Sequence, residues 1–441
     1  MPIFALATSP GISGLAVVRL SGIGSLNIAK KITKKNKLRP RIANFTNFYD
    51  LSNCLIDKGI YIFFPGPNSY TGDDVIEFHL HGSNAVINCF LKNLSKFKNC
   101  RLAKPGEFSQ IALLNKKINL LQAEALIDLI NSETEIQRVH ALKMMSDDTT
   151  RLYENLRSEI IKILSNYEAV IDFSEDDVQD NIFIQNRSKL LKLKHKIDEI
   201  IKKGENTEKI RDGFTIAIVG PPNSGKSSLM NRLIQREASI VSKIPGTTRD
   251  VIEASIMLNG YLVKFLDTAG IRKAENIIEK KGIELTNKLL KNSDLKIFIF
   301  DYSKPIPNNF LNLFDRRSII LLNKIDLSSK QKFKNLLKLN VIKISVKKNL
   351  GIEKLLKLIS RKIISNFKIE KDSVISRLRH QKSLINASNL ISNCLKKSKI
   401  SEIDIAAEDL RLAARSLGEI VGSVNVEEVL DNIFRDFCIG K

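Results

Sequence analysis

The stretch Phe214–Ile234, FTIAIVGPPNSGKSSLMNRLI, decides how this chain must be read. It opens on a run of β-branched and apolar residues, passes through GPPNSGKSS, and continues with an apolar helical period. Gly220–Ser227 fit G-x-x-x-x-G-K-[ST] between a strand and a helix, the context in which backbone N–H groups surround phosphates. Lys226 is expected to reach the β- and γ-phosphates, and the Ser227 hydroxyl to bind Mg²⁺.

Further pieces follow in order. DTAG comes after the strand YLVKFL, so Asp267 can hold the Mg²⁺ shell and Gly270 can offer its N–H to a γ-phosphate. NKID comes after RSIILL. There Asp326 can accept two hydrogen bonds from N1–H and the exocyclic amine of guanine, a donor pair that adenine lacks. GTTRD lies between the two phosphate elements, with Thr248 as a second Mg²⁺ hydroxyl. KISVKKN begins the loop expected against the base, with Val346 where Ala is commoner. The expected nucleotide contacts are Asn223, Ser224, Gly225, Lys226, Ser227 and Ser228 in the first loop. They continue with Ser242, Lys243, Ile244, Pro245, Gly246, Thr247 and Thr248, and with Asp267, Thr268, Ala269 and Gly270. Asn323, Lys324 and Asp326, with Ser345, Val346 and Lys347, complete the set. Directly after D-x-x-G, Ras-like GTPases carry a Gln that orients water. Here Ile271 stands there and cannot hydrogen-bond, so hydrolysis is either very slow or completed by another group.

Working outward, the texture changes three times. Residues 1–118 read as a mixed α/β domain: GLAVVRLSG and GIYIFFPGP as strands, and VIEFHL alternating with Ile76, Phe78 and Leu80 on one face. Residues 119–212 read as long helices, with Leu156, Ile160, Ile163, Tyr167 and Val170 on one stripe. Residues 213–368 alternate strand and helix, which predicts a doubly wound P-loop domain. Residues 369–441 return to helices, with Ile375, Leu378, Leu384 and Ile391, then Leu410, Ala414, Leu417 and Val421. The economical reading is a multidomain α+β and α/β chain: an N-terminal mixed domain and a discontinuous helical domain interrupted by an inserted GTPase domain.

Formal net charge is +22 over 441 residues, which favours a polyanionic partner, although a Lys-, Asn- and Ile-rich drift would contribute. Five scattered cysteines form no C-x-x-C pair or disulfide framework and suit a reducing, cytoplasmic setting. No signal peptide or membrane span is expected. His79 and His81 share a strand face without a companion Cys or Asp cluster, so no metal site is expected there. The ending RDFCIGK puts Cys438 fourth from the last residue, but Gly440 and a final Lys441 do not suit prenylation.

VVRLSG, FPGPNSYTGDDVIE, RLAKPGEFSQIALLNKKINLLQAEALIDLI, GPPNSGKSSLMN, IPGTTRD, DTAGIR and the FCIGK terminus together resemble the MnmE (TrmE) family of bacterial tRNA-modification GTPases along essentially the whole chain. The resemblance implies a cytoplasmic homodimer joined through folate-binding N-terminal domains. It implies action with the flavoprotein MnmG (GidA), which carries the FAD, in a heterotetramer or larger complex on tRNA. There a tetrahydrofolate one-carbon unit (5,10-methylene-tetrahydrofolate) would become part of an aminomethyl or carboxymethylaminomethyl group at C5 of wobble uridine. Carried over by motif, folate contacts fall on Arg19, Glu77, Lys117 and Lys441, with Glu77 suited to a pterin edge and the cations to a glutamate tail. The resemblance also implies K⁺-stimulated hydrolysis, with K⁺ held by Asn223, Ser242, Ile244 and Thr247, and water oriented by Glu279. Catalytic roles are thus expected for Glu279, Lys226 and Cys438. The rival expectation is a ribosome-assembly GTPase that switches on RNA without group transfer; the folate constellation and the tail suit only the first.

Overall fold

The computed structural model describes residues 1–172, 182–236, 252–267, 289–327, 340–367, 372–423 and 440. They form two compact units: Met1–Ile130, Met144–Leu193 and Asn386–Lys441 in the first, Asn131–Lys143 and Lys194–Ile385 in the second.

The first unit contains a six-stranded sheet in the order β3-β4-β5-β2-β1-β6. Its strands are β1 (Ile3–Leu6), β2 (Ser13–Ser21), β3 (Asn44–Tyr49), β4 (Leu55–Phe64), β5 (Val75–Gly82) and β6 (Arg101–Leu102). The pleat sorts the residues. Val18, Leu20, Ile76 and Phe78 turn to a core closed by α1 (Ser25–Thr33) and α2 (Asn84–Ser95), where Phe48, Phe78 and Phe90 meet at tilted or edge-on angles. Arg19 and Glu77, one residue out of step, turn to the other face, on which α3 (Glu107–Leu114) lays Phe108 against Ile3 and Ala5.

The helices of this unit include α4 (Leu120–Ile130) and the long α6 (Asp147–Asp172). Leu156, Ile160, Ile163, Tyr167 and Val170 of α6 are buried, as the stripe predicts. Later in the chain comes α13 (Ile403–Val421), which packs along α6 and buries Leu410, Ala414, Leu417 and Val421.

Inside the second unit a sheet runs β12-β11-β10-β7-β9-β8. Strands β7 (Phe214–Val219), β9 (Tyr261–Asp267), β10 (Leu295–Asp301), β11 (Ser318–Asn323) and β12 (Asn340–Lys343) are parallel, and β8 (Ile252–Leu258) is antiparallel at one edge. Helices α9 (Lys226–Arg236) and α11 (Ile352–Phe367) cover one face and the short α10 (Asn308–Leu311) lies by the other, so the sheet is doubly wound, as expected. Being covered on both sides explains why LKIFIFD and SIILLN are buried from end to end.

The remaining helices are α5 (Glu135–Met145), α7 (Ile182–Lys203), α8 (Glu208–Asp212) and α12 (Leu378–Lys396). One detail departs from the apolar stripe: Leu378, at the first turn of α12, is 55% exposed, because the buried face of the helix runs through His380, Leu384, Ala387 and Ile391, out of step with it. Among the described residues no helix is long and apolar enough to cross a membrane.

Candidate functional site

In the second unit the chain reverses direction across the sheet between β7 and β10, and ligands of open α/β sheets sit beyond the strand ends at such a switch point. Three of the four strands there run into or end on a motif. β7 runs into the glycine-rich loop, β9 ends on Asp267 beside Ile218, β10 ends on Asp301, and β11 ends on Asn323.

Between β7 and α9 the loop needs two left-handed residues, Asn223 (φ 60°) and Gly225 (φ 103°). A Cβ on Gly225 would lie 2.3 Å from the Asn323 amide nitrogen, so only glycine lets the loop close on β11. The Lys226 ammonium donates to the carbonyls of Gly220 (3.0 Å) and Pro221 (2.9 Å), both in the loop it must serve. Ser224 Oγ is buried and has no hydrogen-bond partner among the described residues, as a hydroxyl awaiting a ligand would be. Ser227 is exposed at the first turn of α9, and a hydroxyl there is a hard oxygen donor of the kind Mg²⁺ takes. The exposed Asn223 side chain offers an amide oxygen to a larger cation such as K⁺.

Asn323 acts chiefly as a brace. Its Nδ2 donates to the Ser224 carbonyl (2.9 Å) and its Oδ1 accepts from Val346 N–H (3.1 Å), tying the phosphate loop to the base loop. Ser345 Oγ donates to Asp326 Oδ1 at 2.5 Å. That bond, then Asp326's own N–H and the Lys348 and Lys347 charges, hold its carboxyl below the usual range, so it is ionised and ready to accept.

Sequence reasoning missed Asp301. Burial opposes its charge, but hydrogen bonds from Lys324 (2.7 Å) and Ser303 prevail and bring its pKa down to about 2. The ion pair holds Lys324 in its left-handed turn (φ 68°). An acid closing a buried parallel strand beside NKID was the available signal. A cavity of about 710 Å³ is lined by Asn223, Gly225, Asn323, Lys324, Asp326 and Val346, a size suited to a nucleotide. Arg232 and Gln235 of α9 also line it and were not anticipated.

A second polar cluster lies in the first unit. Arg19 and Glu77 are register partners on β2 and β5, and the guanidinium donates twice to Glu77 Oε1 (3.0 and 2.8 Å). The two therefore form one cross-strand ion pair. Arg19 also lies over the rings of Tyr70 (5.1 Å) and Phe108 (5.7 Å), and the Tyr70 hydroxyl pairs with Ser109 Oγ at 2.7 Å. Burial raises the Tyr70 pKa, more than its Ser109 bond and Arg19 lower it. Neither ring was anticipated, although FPGPNSYTGDD and PGEFSQ contain them.

Lys117 is exposed, and its stem comes near the 69–73 turn: a Cβ on Gly72 would lie 3.2 Å from Lys117 Cε. Charged, aromatic and hydrogen-bonding groups thus gather around Arg19. His81 Nδ1 pairs with Asp57 (2.8 Å).

From the tail, Gly440 is buried against the end of β1. A Cβ there would lie 2.2 Å from the Leu6 carbonyl oxygen, and φ is 110°, so the position accepts only glycine. Ser242–Thr248, Thr268–Gly270, Ile271, Glu279, Cys438, Lys441 and the Asp267 side chain lie outside the described residues.

Comparison with known proteins extends this geometry. A family model described as the MnmE helical domain matches residues 120–438, and one described as the GTP-binding protein TrmE N-terminus matches residues 2–117. Curated relatives named tRNA modification GTPase MnmE include those of Pelagibacter ubique, 45% identical over all of both chains, and Ehrlichia ruminantium, 42% identical over all of this chain and 99% of the relative. The relative from Wolbachia of Culex pipiens is 41% identical over all of this chain and 98% of its own. Among solved structures, the G domain of the T. maritima FeoB iron transporter matches 34% of this chain and 98% of its own at 24% identity and a TM-score of 0.26, and no conclusion rests on it. Full-length identity on this scale and two family models that tile nearly all of the sequence have one consequence: the chain belongs to the MnmE (TrmE) family of tRNA-modification GTPases.

Proposed function

We propose that this protein hydrolyses GTP and, as a homodimer working with the flavoprotein MnmG, installs an aminomethyl or carboxymethylaminomethyl group at C5 of wobble uridine in tRNA. In this reading residues 1–118 bind folate and dimerise, 213–368 form the GTPase domain, and 119–212 with 369–441 form the helical domain. The single observation that carries it is Gly440 seated on Leu6, in the strand next to Arg19. It seats one residue of the tail at the end of β1, the strand beside β2, and in sequence Cys438 lies two residues before that glycine and Lys441 directly after it, which supports the reading.

On the nucleotide side, Asp326 selects guanine, Lys226 and the loop amides hold the phosphates, and Ser227 with Thr248 would hold Mg²⁺. Asn223, Ser242, Ile244 and Thr247 would hold K⁺. Bound there, these cations neutralise charge that develops between the phosphates, the task of an arginine finger elsewhere. Glu279 orients the water that Ile271 cannot. On the folate side, Glu77 pairs with the pterin edge of the cofactor while Arg19, Lys117 and Lys441 meet its carboxylates; methylene-tetrahydrofolate supplies the carbon unit. Cys438 acts near that carbon.

The test is nucleoside analysis of tRNA after reaction with the complete complex. Cys438→Ser should abolish modification and leave GTP turnover near wild type. Normal modification by the variant would reduce Cys438 to packing, and loss of both activities would make the tail structural. In the same preparation, GTP turnover should be at least about tenfold faster in KCl than in NaCl at equal ionic strength. Equal rates would remove the K⁺ assignment.

A further inference from the structure

Residues 1–49 contain eight Lys and Arg and no Asp or Glu, in a chain whose totals are 70 basic and 48 acidic. A codon-driven drift adds lysine everywhere; it does not clear acids from one span. Seven of the eight lie between Lys30 and Arg41, in the last turn of α1 and the loop after it. Ile28, Ala29, Ile32 and Leu38 fill the core, which leaves Lys31, Lys34, Lys37 and Arg39 exposed. Among the described residues none of the seven forms an ion pair. Like charges three and four apart repel, so the arrangement is mildly unfavourable without an anionic partner.

Part of the run is held in place by aromatic faces. Lys34 Nζ lies 3.7 Å from the Tyr49 ring centroid, Lys35 Nζ 5.5 Å from Tyr61, and the Arg41 guanidinium 5.9 Å from Phe64. Beyond it, Phe45 stands 71% exposed on β3, the edge strand. Helix α1 packs on the sheet face opposite Arg19 and Glu77, so its charges do not serve that site.

We propose that the Lys30–Arg41 run is an RNA contact: it grips the sugar–phosphate backbone of tRNA, with an unpaired base stacking on Phe45. A lipid surface fits less well, because the apolar face of α1 is spent in the core and cannot insert. The inference rests on the reading that tRNA is the substrate, and adds where it is held.

The experiment uses the full chain and fluorescently labelled tRNA, with anisotropy titrations across a KCl series. The triple variant Lys31→Gln, Lys37→Gln, Arg39→Gln removes exposed charges that form no ion pair among the described residues. It should weaken binding about 10- to 100-fold and flatten the slope of log K against log salt by about 2, while GTP hydrolysis is unchanged. The matched variant Lys189→Gln, Lys192→Gln, Lys196→Gln on α7 removes as much charge and should change binding less than threefold. Equal losses in the two variants would mean that only net charge matters and would overturn the proposal. So would normal affinity in the first variant, or binding to phosphatidylglycerol vesicles that the first variant loses while its tRNA binding stays intact. A wild-type chain with no affinity for tRNA would overturn the substrate reading itself, and the proposal with it.

Discussion

The second unit carries its candidate site at the ends of strands, and the first presents its polar pair in the middle of them. At the end of β7 the backbone leaves the sheet in a glycine-rich loop, so a ligand can be met by main chain and a few short side chains, while after β10 and β11 the N–H groups of Tyr302, Ser303 and Ile325 are already bonded and fix the neighbouring loops. Asn323 and Asp301 then serve as braces between loops. Arg19 and Glu77 stand where the backbone is fully paired by its neighbours, so only side chains are available for binding. In the absence of a ligand such charges must pair with each other, and they do at 2.8 Å. The strand-end site is organised by backbone, the mid-sheet site by charge, and substitutions should separate them.

The largest effect is expected at the strand ends. Asp326→Asn keeps the side-chain shape but loses an ionised double acceptor, so GTP affinity should fall about 100-fold or more while xanthosine triphosphate gains. Competition binding with the two nucleotides measures it, and a variant that still preferred GTP by the wild-type margin would remove Asp326 from base recognition. Folate binding should be untouched, which is what makes the comparison sharp.

A smaller effect concerns a place in the second unit that belongs to neither design. His140 of α5 is buried near Ser373, Ile375 and His380, residues more than two hundred positions later. Burial, then the charge of Lys143, push its pKa down to about 4 against 6.5, outweighing the backbone hydrogen bonds that raise it. It is neutral when folded, so its contribution is complete above the unfolded value near 6.5 and is lost as pH falls from 6.5 toward 4. Between pH 7 and pH 5 wild type should lose about 2 kcal/mol that His140→Gln does not lose, read by denaturant titration. Parallel pH profiles for the two proteins would contradict the assignment.

The physics of the two designs also explains what could be read from the chain. GPPNSGKSS, NKID and KISVKKN are local: each loop's geometry is fixed by its own glycines, its strand and its helix, so Lys226, Asn323 and Asp326 could be assigned by position. VIEFHL told which side Glu77 faces, but not that Arg19, 58 residues earlier, is its register partner. Tyr70 and Phe108 come from a loop and a helix that meet only after the sheet has formed. Asp301 fell between: it is local to its strand, but its partner, Lys324, lies just past the end of the next one. Periodicity gave the buried stripes of α6 and α13, and failed at Leu378 because an apolar residue at a helix start need not face the core.

Calorimetric titration with 5-formyl-tetrahydrofolate tests the central claim most directly, since it asks whether the mid-sheet charge pair is a ligand site. The wild-type chain should bind one equivalent per chain. Glu77→Gln should weaken this by about tenfold or more, with GTP affinity unchanged. No heat of binding in the wild type, or equal affinity in the variant, would contradict the account and leave Arg19–Glu77 as a cross-strand ion pair.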